Sequence, residues 1–90
     1  MKKILITGCA GFIGFSLAEK FLLEKKFKIY GIDNLNKYYS VKLKYKRLSI
    51  LKKSKNFKFF KIDLSNQKQI KSFFKMNKKF DSIFHFAAQA

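Results

Sequence analysis

Short apolar runs alternate along the chain with longer segments in which apolar residues recur at helical spacing. The short runs predict four strands, at Lys3–Thr7, Lys28–Ile32, Phe57–Ile62 and Ser82–Phe86. The helical segments run from Phe12 to about Lys25, from Ser40 to about Lys52, and onward from Asn66. Because strands and helices alternate, the pattern predicts an α/β fold with a parallel sheet in the order β-α-β-α-β-α-β. Four strands are only part of a doubly wound sheet, which normally has about six.

Each predicted helix has an apolar face that should be buried. In the first helix this face contains Ile13, Leu17 and Phe21, with Ala18 and Leu22 beside them. In the second it contains Val41, Tyr45, Leu48 and Leu51, with lysines and Arg47 on the opposite side. In the third it contains Ile70, Phe73 and Phe74. Asn66 is placed to cap the third helix, and Gln69 is placed to reach back to it.

A glycine-rich loop follows the first strand and opens the first helix. Residues 8–14 read Gly-Cys-Ala-Gly-Phe-Ile-Gly. Gly8 would allow a sharp turn, Gly11 would let a pyrophosphate approach the main chain, and Gly14 would let the helix pack against the sheet. The free N–H groups at the start of the helix would then face the phosphates. The loop therefore predicts a dinucleotide site in a Rossmann-type fold.

Asp33 ends the second strand, 19 residues after Gly14. A carboxylate at this position can accept hydrogen bonds from both hydroxyls of an adenosine ribose, which favours NAD. A 2′-phosphate would meet a like charge there, so the residue disfavours NADP. The alternative is that Asp33 only caps the loop that follows it.

The glycine spacing G-x-x-G-x-x-G resembles the extended branch of the short-chain dehydrogenase/reductase superfamily. Residues 7–14 match the phosphate loop of that branch throughout. Asp63-Leu64 looks like its adenine-contacting pair, and residues 85–90 resemble the end of its fourth strand, which lies along the cofactor. With these residues, the expected cofactor site consists of Gly8, Gly11, Phe12, Ile13, Gly14, Asp33, Asn34, Asp63, Leu64, Phe86, Ala87 and Ala88.

Within this branch, the chain is similar to the NAD-dependent epimerase/dehydratase family and to its UDP-glucuronate 4-epimerases in particular. The similar positions are residues 31–39, Gly-Ile-Asp-Asn-Leu-Asn-Lys-Tyr-Tyr, followed by Val41, Leu43-Lys44 and Arg47-Leu48. Ser40 departs from the acidic residue usual after the tyrosine pair. The resemblance implies bound NAD, a UDP-sugar substrate that is transiently oxidised at C4, and a homodimer of the full-length enzyme. It covers the whole chain but only a quarter to a third of a family member.

The resemblance implies a catalytic tyrosine and lysine that follow strands four and five, so these residues would lie beyond Ala90. Residues 1–90 are therefore expected to form a partial NAD-binding domain without catalytic residues or a substrate-binding part. Tyr38 and Lys42 fit the family's Y-x-x-x-K motif literally, but they follow the second strand, at the adenosine end of the cofactor. A motif needs its structural context, so this pair is interpreted as a surface tyrosine and lysine.

Composition narrows the choice of partners. The formal net charge is +16, with 21 lysine and arginine residues against five acidic ones. The lysines are spread along the chain and Arg47 is the only arginine, whereas readers of base edges depend on arginine. No specific nucleic-acid partner is expected. The stretch Phe57–Phe60 could stack bases, but it is interpreted as a buried strand.

Cys9 and His85 are the only cysteine and the only histidine. One of each cannot build a zinc site, and a lone cysteine forms no intrachain disulfide. Cys9 is interpreted as a small residue in a tight loop, and His85 as a packed core histidine. The apolar run before Cys9 is too short for a signal sequence, and no stretch could span a membrane. A cytoplasmic protein is expected.

Two other functions stay open from the sequence. The chain could belong to another nucleotide-sugar epimerase or dehydratase, because most residues that contact the sugar would lie outside it. It could also be a non-catalytic nucleotide-binding remnant.

Overall fold

The structure, a computed structural model, describes residues 1–36 and 40–87. Its elements are β1 (Lys2–Thr7), α1 (Phe12–Leu23), β2 (Phe27–Asp33), α2 (Val41–Leu51), β3 (Phe57–Lys61), α3 (Gln67–Met76) and β4 (Ser82–His85). The predicted alternation of strands and helices is therefore confirmed, with boundaries shifted by one or two residues. Six residues lie outside the described ranges: Lys37, Tyr38, Tyr39, Ala88, Gln89 and Ala90. They include part of the family signature, the tyrosine of the literal Y-x-x-x-K match and one expected cofactor residue.

The four strands form one sheet in the order β3-β2-β1-β4, and every neighbouring pair is parallel. The chain adds β2 and β3 on one side of β1 and then places β4 on the other side. This reversal is the switch point of a doubly wound sheet, and it leaves a crevice at the carboxyl ends of β1 and its neighbours. The expected fold class, the N-terminal part of a Rossmann-type sheet, is confirmed.

Alternate residues of the central strand β1 supply two separate cores, one on each face of the sheet. Ile4 and Ile6 belong to one cluster, together with residues of α1 and α2. Leu5 belongs to the other, which also contains Phe73 of α3. Since successive side chains of a strand point to opposite faces, a run of aliphatic residues is what a strand covered on both faces requires.

Helix α1 packs through its small residues, and this differs from the predicted apolar face. Gly14 and Ala18 are buried, Leu17 is half-buried, and Ile13 is 61% exposed. Contact through glycine and alanine brings the helix axis close to the chain beneath it. The helix is rotated so that Ile13 faces outward, and the prediction that Ile13 is buried is wrong.

Helix α2 also differs from the prediction on its buried face. Leu48 and Leu51 are buried as expected, but Tyr45 is 55% exposed and Lys44 is buried. Lys44 is buried because its ammonium group is paired with Asp33 at the end of β2. A charged side chain can occupy an interior position when it has such a partner.

The cap of α3 was predicted in part. Asn66 Oδ1 accepts a hydrogen bond from the backbone N–H of Gln69, as expected. The Gln69 side chain instead accepts from the backbone N–H of Asp63, so it does not reach back to Asn66. In β3, Phe57 is buried while Phe59 and Phe60 are only half-buried. Among the described strands β3 lies at one edge of the sheet, so it is less buried than predicted.

Candidate functional site

A cleft of about 880 Å³ runs along the carboxyl ends of the strands. Thr7 of β1, Asp33 of β2 and His85 of β4 line it, as does Ile62, which follows β3. In open α/β sheets ligands bind in this place, beyond the strand ends at the switch point. The topology therefore positions the candidate site.

The predicted cofactor residues converge on this cleft. Those that line it are Gly8, Gly11, Asp33, Asn34, Asp63, Leu64, Phe86 and Ala87. Phe12, Ile13 and Gly14 form the first turn of α1 and are not part of the lining. Ala88 lies outside the described residues. The chain thus brings together residues from four separate strand ends, although their contacts with a cofactor stay a prediction.

Gly8 is required by backbone geometry. Its φ is +73°, a left-handed conformation that favours glycine. A Cβ atom there would also lie 2.8 Å from the Phe86 carbonyl carbon and 2.9 Å from the Ala87 nitrogen. The sharp turn and the close approach of the chain after β4 both depend on this glycine.

Gly11 and Gly14 have different roles. Gly11 is the N-cap residue of α1 with φ −75° and ψ 169°, extended backbone that any residue can adopt. Its own backbone conformation therefore does not require glycine, and the approach of a ligand to the main chain at Gly11 stays a prediction. A Cβ on Gly14 would collide with the carbonyl oxygen of Gly8. The helix is thus packed against the loop after β1, a more local contact than the predicted one with the sheet.

The N-cap residue of α1 provides no side-chain cap, in contrast to the N-cap residues of α2 and α3. Ser40 Oγ accepts from Leu43 N in α2, and Asn66 caps α3. In α1 the N-cap residue is Gly11, which has no side chain that could accept from the first turn. The first N–H groups of a helix need an acceptor and carry partial positive charge, so an uncapped end suits an anionic group.

Asp33 joins the glycine loop to the loop after β2. Its carboxylate is 4% exposed; Oδ2 accepts from Ala10 N at 3.0 Å and Oδ1 accepts from Leu35 N at 2.8 Å. The second bond is the loop cap that was considered as an alternative. Asp33 therefore caps the loop and also lines the cleft. The two roles are compatible because a carboxylate has about four acceptor positions.

Helix α2 supplies two cations that sequence reasoning left without a role. Lys44 Nζ lies 3.3 Å from Asp33 Oδ1, with both side chains buried. Arg47, one turn later, donates from Nη1 to the carbonyl oxygen of Ala10 at 3.0 Å. The Ala10 residue is thus held through its N–H by Asp33 and through its carbonyl by Arg47. The signal in the sequence that could have found these two residues is their place after Asp33, in the stretch that resembles the family signature.

Thr7 connects the ends of β1 and β4. Its Oγ1 accepts from Phe86 N at 3.1 Å and from Ala87 N at 3.3 Å, and it lies 2.6 Å from His85 Nδ1. His85 is exposed, so the prediction of a core histidine is wrong. The Cα pairing of Thr7 with His85 explains the contact.

Asp63 is exposed at the far side of the cleft, and Leu64 next to it is half-buried. Ser65 donates to Asp63 Oδ1 from its hydroxyl at 2.7 Å and from its backbone N–H at 2.9 Å. These bonds, the hydroxyl first, hold the pKa of the Asp63 carboxyl below its usual value. The site therefore has a fixed negative charge at this end.

Cys9 of the glycine loop is fully buried in the core. A Cβ on Gly31 would lie 2.7 Å from its Sγ atom, so the thiol fills the space beside this glycine. Burial, and then the negative charge of Asp33, raise the pKa of the Cys9 thiol far above its ordinary value. The residue is a packing residue in a tight loop, as predicted, and not a nucleophile.

Within residues 1–36 and 40–87, no three histidine, cysteine, aspartate or glutamate side chains are grouped in a way that could hold a metal ion. In the same residues, no helix has the length and apolarity that crossing a membrane would need.

Comparisons with known proteins agree with the fold. The family model described as GDP-mannose 4,6 dehydratase matches residues 5–90. The UDP-glucuronate 4-epimerase of Thermodesulfobacterium geofontis is 48% identical over 86 residues, which are 96% of this chain and 26% of that protein.

Solved structures of the UDP-glucuronic acid 4-epimerase from Bacillus cereus superpose well on the chain. The complex with NAD has a TM-score of 0.83 at 30% identity, over 98% of this chain and 28% of that one. The complex with UDP-glucuronic acid and NAD has a TM-score of 0.81 at 30% identity, over 96% and 26%. The chain thus spans about a quarter of the length of the relatives it matches.

Replacing Arg47 should loosen the glycine loop. Arg47→Met removes the donor to the Ala10 carbonyl, and we expect the free energy of unfolding to fall by about 1.5 kcal/mol. The Ala10 and Gly11 amides should exchange hydrogen faster, as measured by NMR or mass spectrometry on the full-length protein. Lys46→Met, at an exposed neighbouring position, is the control. Equal exchange in both variants would contradict the role of Arg47 in holding Ala10.

The Cys9 thiol should lower stability at alkaline pH. Its pKa is raised in the folded state, so the unfolded chain loses the proton first, near the ordinary value of 9.0, while the folded chain keeps it. Stability from this group is therefore complete below about pH 9 and falls as the pH rises further. Denaturant unfolding from pH 8 to 10.5 should show a steeper decline for the native sequence than for Cys9→Ala. Parallel curves would be inconsistent with a buried neutral thiol.

Proposed function

Since the chain belongs to the GDP-mannose 4,6 dehydratase family, we propose that it is the NAD-binding part of a nucleotide-sugar 4-epimerase that acts on UDP-glucuronate. The observation that carries the proposal is the uncapped N-terminus of α1, which opens after Gly11 at a cleft also lined by the buried Asp33 carboxylate. In a dinucleotide site the N-terminus of the helix binds the pyrophosphate, and an acidic residue about 20 residues further along the chain binds the ribose.

The residues present fit a dinucleotide. Gly11, whose backbone would admit any residue, leaves the main chain accessible, and the first turn of α1 offers N–H groups to the pyrophosphate. Asp33 would accept from the adenosine ribose, and Asp63 with Leu64 would contact the adenine. NAD, when bound, would supply the hydride acceptor for oxidation at the sugar C4. This chain's part is to bind and orient the cofactor.

The substrate is proposed from the relatives. UDP-glucuronate is named for the enzyme from T. geofontis and is present in a B. cereus complex. The second candidate is another nucleotide-sugar epimerase or dehydratase, which the name of the matching family model favours. The residues that act on the sugar are proposed to lie outside residues 1–90. A cytoplasmic location and a homodimer of the full-length protein belong to the same proposal.

The full-length protein decides between these functions. Nucleotide released by denaturing the purified protein is identified by chromatography, and the protein is then incubated with UDP-glucuronate while its C4 epimer is followed by NMR. Retained NAD together with epimer formation is the expected result. Turnover of UDP-glucose, dTDP-glucose or GDP-mannose in its place would favour the second candidate. Retained NAD without turnover of any of these sugars would instead identify a non-catalytic nucleotide-binding remnant.

Adding a methyl group at Gly11 should weaken NAD binding without affecting the fold. Its backbone conformation accepts alanine, so the Tm of Gly11→Ala should match that of the native protein. The methyl group stands where the pyrophosphate would approach, and we expect NAD affinity to fall by about tenfold or more, equivalent to about 1.4 kcal/mol. Calorimetry measures the affinity. Gly14→Ala is the contrasting variant, since its Cβ collides with Gly8 and should lower the Tm. Unchanged NAD affinity in Gly11→Ala would place the phosphates elsewhere.

A further inference from the structure

The cleft contains a buried cation that the proposed function does not use. Lys44 lines the cleft together with Asp33, Asn34 and Asn36. Its ammonium group lies 3.3 Å from Asp33 Oδ1 and 3.4 Å from Asn36 Oδ1. The side chains of Lys44 and Asp33 are 6% and 4% exposed. The ribose end of the candidate site is thus a buried ion pair and not a lone carboxylate.

Stability alone gives little reason for such a pair. Removing two charges from water is costly, and apolar residues of similar volume often replace a buried ion pair without loss. The two charges also cancel, so the repulsion that Asp33 would exert on a phosphate is reduced by a cation next to it. The charge that a ligand meets at this end therefore depends on both residues.

Most of the Asp33 carboxylate is already occupied. Oδ1 accepts from Leu35 N and from Lys44, and Oδ2 accepts from Ala10 N. A carboxylate offers about four acceptor positions, so about one is left for a ribose hydroxyl. Asp33 would then make fewer bonds to the ribose than the two expected from sequence, and its neighbours must contribute to recognition.

On the basis of the proposed NAD site, we propose that Lys44 is a specificity-determining residue of this site and acts through its ion pair with Asp33. Asp33 holds the ammonium group and withholds it from a 2′-phosphate, so the native site takes the unphosphorylated ribose of NAD. If the charge of Asp33 is removed, the same buried ammonium group becomes a counter-ion for the 2′-phosphate of NADP. Cofactor choice thus depends on the charge balance of the pair.

The test compares two variants of the full-length protein that share one change. Asp33→Asn keeps the side-chain shape and the Oδ1 acceptor but removes the negative charge. Asp33→Asn combined with Lys44→Met also removes the cation while preserving an unbranched side chain. NAD and NADP affinities are measured by calorimetry at low and high salt. We expect the ratio of NADP to NAD affinity to rise at least about tenfold in the single variant, to shrink at high salt, and to return to about the native value in the double variant.

Lys44→Gln extends the test if Asp33→Asn does not fold. Glutamine can still donate to Asp33 but leaves the carboxylate uncompensated, so the ratio of NADP to NAD affinity should fall by about tenfold relative to the native protein. A merely structural role would change both affinities by the same factor, and that result would overturn the proposal. An equal rise of the ratio with and without Lys44 in the Asp33→Asn pair would overturn it as well. Lack of NAD binding by the native protein would instead refute the proposed function.

Discussion

The carboxylate of Asp33 is the contact on which the rest of the site depends. Its two oxygens bind the glycine loop through Ala10, the following loop through Leu35, and helix α2 through Lys44. These three segments come from different parts of the chain and meet only because β1 and β2 are parallel neighbours. A parallel sheet gathers strand ends at one edge, and one buried anion then fixes the loops that leave this edge. The cleft is consequently formed by backbone held in place before any ligand arrives.

The parts of the structure that follow from local periodicity were predictable. Apolar runs predicted the strands, the glycine spacing predicted a tight loop before α1, and the polar residue Asn66 predicted a helix cap. Gly8 is an example, because the tight turn that needs a positive φ lies at the glycine itself. These features depend on a few neighbouring residues, so a single sequence contains the information.

The parts that depend on distant partners were not predictable. Helical spacing predicts Lys44 on the face opposite the apolar one, whereas its burial requires Asp33, 11 residues earlier in the chain. Tyr45 and Ile13 were assigned to the core from helical spacing, which gives a face but not how the helix is rotated against its neighbours. His85 was expected in the core because its neighbours in the strand are apolar, but its side chain is exposed. The cleft could be located from sequence, whereas its charge balance could not.

The two cations of α2 place an unusual demand on that helix. Lys44 and Arg47 are one turn apart, so both reach the same side, where one holds Asp33 and the other holds Ala10. Each residue of an α-helix advances by about 100°, so one residue inserted between them would turn Arg47 away from the loop while Lys44 stayed in place. Substitutions at the exposed positions Tyr45 and Lys46 leave this relation intact. The exposed residues of α2 can therefore vary, provided that the spacing between Lys44 and Arg47 along the helix is kept.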